Sequence, residues 1–83
     1  MKTTNTNENI LTNFGKAIKN LRNKCNKSQF EMAIGIECDP KSLRKIENGL
    51  VNPTYQMVKR IVEYFEKRGE NITLEKLLLV QSW

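Results

Sequence analysis

Two helix-start signals stand close together in the middle of this chain, and they leave few ways to fold it. Ser28 is followed three residues later by Glu31. That spacing is a capping box, in which the hydroxyl accepts from a backbone N–H of the first turn and the glutamate reaches back to the serine N–H. Asp39-Pro40 then opens a second helix. The aspartate accepts an orphan N–H, and proline at the first helical position has no N–H to leave unpaired. Gly49 is the stop signal, so this helix is expected over residues 40–48. Two short helices joined so briefly must cross steeply, and they approach closely only where a small side chain sits at the contact. Ala33 is that residue.

Apolar residues at helical spacing flank the pair. Phe14, Ala17, Ile18, Leu21 and Cys25 form one stripe, with Lys16, Lys19, Asn20 and Asn23 on the wet side. Asn26 suits a left-handed helix terminator, and Met32 and Ala33 face inward on the helix after it. Leu50 to Pro53 reads as a loop. Thr54 caps a further helix with an inward stripe of Met57, Val58, Ile61, Val62 and Phe65, ending near Gly69. Thr73 caps a last short helix carrying Leu74, Leu77 and Leu78, with Val80 and Trp83 trailing. There is no alternating strand pattern and no repeat. The expected fold is all-α: one compact five-helix domain over residues 10–83, after a disordered Asn/Thr-rich tail over 1–9.

Charge narrows the partner. Fourteen Lys and Arg against nine Asp and Glu give +5 and a pI near 9.4, a balance suited to a polyanion, nucleic acid first and an anionic membrane surface second. A modest positive charge also simply keeps a small protein dissolved. Cys25 and Cys38 form no CxxC pair and read as small packing residues in a cytoplasmic protein. The chain has no histidine, which removes the commonest general base and the usual partner of cysteine at zinc. It shows no paired carboxylates in a plausible cleft and no glycine-rich phosphate loop, so neither an enzyme, a cofactor nor a metal is expected. The first nine residues lack the apolar stretch of a signal peptide, and no later stretch approaches a membrane-spanning length. The stacking aromatics expected of an RNA binder are missing.

On the helix after Asp39, about 100° of rotation per residue puts Leu43 and Ile46 on one side. Lys41, Lys45 and Asn48 fall on the opposite side, with Arg44 flanking them. A helix fits the major groove of B-DNA, where lysine donates to guanine O6 and N7 and serine serves either role. A solvated face carries the same charge pattern, and periodicity does not separate the two readings.

From Phe14 to Leu78 the chain resembles the Cro/repressor-type, Xre-like helix-turn-helix family. The resemblance rests, in order, on Leu21-Arg22, Ser28-Gln29, Ala33, Leu43, Ile46-Glu47-Asn48-Gly49, Pro53 and the Met57/Ile61/Phe65 stripe. It implies a lambda-repressor-like fold that binds double-stranded DNA as a homodimer joined through its later helices. Gln29 would touch a phosphate and brace the third helix. Lys41, Ser42 and Lys45 would face base edges or the adjoining backbone, and Asn48 with the backbone after Gly49 would hold phosphate. With Ser28 and Arg44, these make the expected DNA-binding set. Arg22 would form a largely buried ion pair with Glu47.

The chain also departs from the family pattern. Glu37 stands where the family usually has the turn glycine, so a positive φ there would carry strain. Lys27 replaces a commonly apolar residue, and Pro40 offers no polar group to a base, leaving Lys41 as first reader. The long connection from Phe65 to Thr73 implies an extended fourth helix. Phe30 and Ile34 lie on a side usually left polar: either the chain ends fold over them or they meet a protein partner. Leu78 and Trp83 are expected at a dimer or partner contact. The function read from all this is a transcriptional regulator, a repressor at a roughly palindromic operator. The alternative is an adaptor or antitoxin-type protein that uses the same fold to bind a partner.

Overall fold

A computed structural model of the protein describes residues 6–70, with side chains from residue 10 onward. Four helices follow one another: α1 (Thr6–Lys24), α2 (Gln29–Gly35), α3 (Pro40–Glu47) and α4 (Tyr55–Lys67). Among the described residues all regular structure is helical. The expected fifth helix, with Thr73, Leu74, Leu77, Leu78, Val80 and Trp83, lies outside them, as does the start of the expected tail. Part of that tail belongs to α1, which reaches back to Thr6. Once a helix is nucleated by a buried stripe, adding residues at its end costs little, so weak helix formers are recruited.

Local chemistry sets the helix starts. Ser28 and Glu31 form the reciprocal box: Glu31 N–H donates to Ser28 Oγ at 3.0 Å, and Ser28 N–H donates to Glu31 Oε1 at 2.9 Å. The second of these bonds holds the Glu31 carboxyl below the usual carboxylate range. Asp39 Oδ1 accepts from Lys41 N–H at 2.9 Å, with Pro40 opening α3. Thr54 Oγ1 accepts from Met57 N–H at 3.1 Å at the start of α4.

All four helices end by one device. A residue with positive φ turns the chain, and the next N–H reaches back to a carbonyl in the last turn. Asn26 (φ 61°) precedes the Lys27 bond to Arg22 O, and Glu37 (φ 59°) precedes the Cys38 bond to Ala33 O. Gly49 (φ 72°) and Gly69 (φ 85°) do the same before Leu50 and Glu70. The chain reversal at Gly69 means that α4 stops at Lys67 and is not extended towards Thr73.

Glu37 is the costly member of this set, because its Cβ crowds the backbone in the left-handed region and glycine would relieve that. Glu37→Gly is expected to raise stability by about 0.5 to 1 kcal/mol, net of the extra chain entropy of glycine when unfolded. Chemical denaturation checks this, and an unchanged or lower midpoint would mean that the turn carries no strain.

The core gathers one face from each helix. Phe14, Ala17, Ile18 and Leu21 of α1 meet Met32, Ala33 and Ile36, Leu43 and Ile46, and Ile61, Tyr64 and Phe65. Cys25, Cys38, Met57, Val58 and Val62 pack half-buried at its margins. Burial, and then the negative charge of Asp39, pushes the Cys38 thiol up, which keeps it protonated in this packing role. Ile36 and Tyr64 lie outside the expected stripes. Tyr64 is covered because it stacks edge-on to Phe65, with ring centroids 5.4 Å apart, and its ring lies where a Cβ on Gly35 would stand.

Candidate nucleic-acid interface

The short helix α3 is fastened on one side and open on the other. Leu43 and Ile46 are buried in the core. Lys41, Ser42, Arg44, Lys45 and Asn48 are all exposed. Among the described residues the ion pairs are Arg22–Glu47 and Lys24–Glu70, so the cations of α3 have no carboxylate partner there. Three unpaired positive charges thus project from a helix whose apolar side cannot turn away from the core.

Buried charge holds the far end of α3. Arg22 Nε donates to Glu47 Oε2 at 2.7 Å, and Arg22 Nη2 donates to Glu47 Oε1 at 3.1 Å. Arg22 Nη1 donates to Lys27 O at 2.9 Å, and Gln29 Nε2 donates to Glu47 Oε1 at 2.9 Å. The Glu47 carboxylate therefore ties the end of α3 to the last turn of α1 and the first residue of α2, while the Arg22 guanidinium also holds the corner between those two helices. Gln29 is half-buried and committed to Glu47 through its amide nitrogen, while Ser28 is exposed at the adjoining cap.

Two contacts at this end were not read from the sequence. A Cβ added to Gly15 would lie 2.4 Å from Glu47 O and 2.5 Å from Ile46 O, so α1 and the end of α3 touch backbone to backbone. A glycine set between Phe14 and Lys16 inside an apolar helical stripe was the available signal. Thr12 of α1 lies against Gly49, which seats the turn that follows α3.

Sequence comparison finds a helix-turn-helix in the same stretch: the family model HTH_3 matches residues 18–72. The chain belongs to the Cro/C1-type helix-turn-helix family. Its members are DNA-binding domains. The match runs from inside α1 through α2, α3 and α4. No curated protein and no solved structure matches the chain.

Within the helix-turn-helix, α2 and α3 are the paired helices and Ile36 to Asp39 is the turn between them. The outer side of α2 carries Phe30 and Ile34, 62% and 61% exposed. Leu78 and Trp83, expected at a contact, lie outside the described residues. Leu50, Val51 and Tyr55 add a second exposed apolar group on the loop after α3 and the start of α4, to which the sequence alone assigns no role. Among the described residues there is no cluster of side chains able to hold a metal ion, and no helix is long and apolar enough to cross a membrane.

Proposed function

We propose that this helix-turn-helix protein is a sequence-specific regulator of transcription that binds double-stranded DNA in the cytoplasm and represses from a roughly palindromic operator. The observation that carries this is the division of α3, with Leu43, Ile46 and Glu47 locked inward and Lys41, Ser42, Arg44, Lys45 and Asn48 free. A helix held in this way keeps its side chains in register with a groove, and the ordering cost is met in folding. Lys41, Ser42 and Lys45 would face base edges or the adjoining backbone. Ser28, Gln29, Arg44 and Asn48, with the backbone after Gly49, would meet phosphate and fix orientation. A homodimer would present two copies of α3 to half-sites one DNA turn apart, roughly 34 Å.

A second reading is favoured by Phe30 and Ile34: the same fold would serve as an adaptor or antitoxin-type protein that docks a partner on the outer side of α2. Salt separates the two. Phosphate contacts release counterions, so operator affinity is expected to fall by about 10³-fold or more between 50 and 200 mM salt if each dimer neutralises at least six phosphates. Binding titrations across that range check it. An affinity for DNA that is absent or indifferent to salt, beside salt-indifferent capture of a protein, would favour the adaptor.

A further inference from the structure

We propose that Asp39 reads a base: the carboxylate oxygen left free by its helix cap accepts a hydrogen bond from the 4-amino group of a cytosine. This rests on the DNA-binding reading above and names part of its specificity.

Asp39 is the N-cap of α3, with φ −71° and ψ 136°, and its Oδ1 accepts from Lys41 N–H at 2.9 Å. The residue is exposed and forms no ion pair among the described residues. A carboxylate has two acceptor oxygens, so the cap leaves Oδ2 unused. Serine, threonine or asparagine would cap the helix about as well without bringing a negative charge towards a polyanion. Capping accounts for the side chain's position and the positive end of the α3 dipole for part of its charge, but neither occupies Oδ2.

Geometry supplies a use for that charge. In a helix-turn-helix the N-terminal residues of the second helix are the ones that reach base edges. Pro40, next in the chain, has no polar group, so Asp39, Lys41 and Ser42 are the polar side chains at this end, and Asp39 is the one that can only accept. The cap bond also holds the short Asp39 side chain in one orientation, which lowers the entropy cost of a further bond. In the major groove cytosine offers an amino donor with no acceptor on its own edge. Adenine sets its amino group beside N7, and guanine and thymine present acceptors that repel a carboxylate. The amino group that fits Oδ2 best is cytosine N4, and Lys41 beside it suits the O6 and N7 of guanine.

The test is selection of bound duplexes from random DNA with the full chain, unaltered and as Asp39→Asn and Asp39→Ser. Asparagine has one carbonyl oxygen, which the cap consumes, and it then turns donors to the base. The unaltered protein is expected to select a cytosine at one position of each half-site. Asp39→Asn should replace it by guanine or thymine, and Asp39→Ser should leave the position open, with the other positions unchanged and the melting temperature preserved. In titrations, the preference for cytosine at that position should fall about ten-fold or more in both variants. A cytosine analogue lacking the 4-amino group, placed in the selected site, should cost the unaltered protein a similar factor, a test that needs no variant to fold.

Unchanged selected sequences with uniformly tighter binding by both variants would overturn the proposal, showing that the carboxylate only repels. So would indifference to the analogue. Failure of the unaltered protein to enrich any sequence would sink the DNA-binding reading itself, and that outcome is visible before any substitution is made.

Discussion

Arg22→Ala is expected to lower the free energy of unfolding by about 3 to 5 kcal/mol, the cost of stranding a buried charge. The Glu47 side chain is 1% exposed and that of Arg22 10%. Without the guanidinium, the buried carboxylate keeps only the Gln29 amide as a side-chain partner. Glu47→Ala should cost a similar amount, since it leaves Arg22 with Lys27 O as its remaining partner. Replacing both together, as Arg22→Met with Glu47→Leu, should recover most of the loss, because the net contribution of such a pair is small and the single losses come from the orphan. Denaturant titration of the four proteins checks this. Single variants as stable as the parent would show that the pair is not buried in solution. A double variant no better than the singles would show that the three-way tie to Gln29 stabilises the fold in its own right.

Gly15→Ala is also expected to destabilise the fold, by roughly half as much, although alanine is the better helix former. Relative to glycine, alanine favours an isolated helix by about 1 kcal/mol. Against that, the new methyl would lie 2.4 Å and 2.5 Å from two backbone carbonyl oxygens at the end of α3, and backbone cannot rotate out of the way as a side chain can. Forcing apart packed elements costs about 1 to 3 kcal/mol and occasionally more, and a contact this short belongs at the upper end. A net loss of about 2 kcal/mol corresponds to roughly 8 to 16 °C in melting temperature for a domain of this size. A scan that finds the variant melting at or above the parent would mean that α1 and α3 stand further apart than described. The same substitution should weaken DNA binding at temperatures where the fold survives, since Asn48 and Gly49 follow directly from the displaced carbonyls.

Local chemistry explains which parts of this molecule could be read in advance. The caps at Ser28, Asp39 and Thr54 and the terminators Asn26, Gly49 and Gly69 depend on residues within one turn of one another, so their spacing alone reveals them. The stripes on α1 and α4 follow from the helical repeat, and so does the placing of Leu43 and Ile46 opposite Lys41 and Lys45. Contacts made across the fold left weaker traces. Arg22 and Glu47 are 25 residues apart, and nothing in their spacing joins them; only the resemblance to a family pointed to the pair. Tyr64 sits beside the expected stripe and is buried because α2 packs over it. Ile36 lies just past the end of α2, where helical periodicity no longer applies. The early start of α1 is not legible because residues 6–9 carry no apolar stripe to announce a helix. For the interface itself, periodicity indicates which side chains face outward, whereas the division into base and phosphate contacts depends on a partner's shape.

The central claim is that the outward face of α3 reads sequence. Its most direct test is a binding titration of the unaltered protein and of Lys45→Ala and Lys41→Ala, on the selected operator and on variants altered one base pair at a time. The account predicts that each substitution loses about 1 to 3 kcal/mol of discrimination at one base pair and little elsewhere. A uniform loss on every duplex, random DNA included, would make these lysines phosphate contacts, and the same affinity in all three proteins would contradict the account altogether.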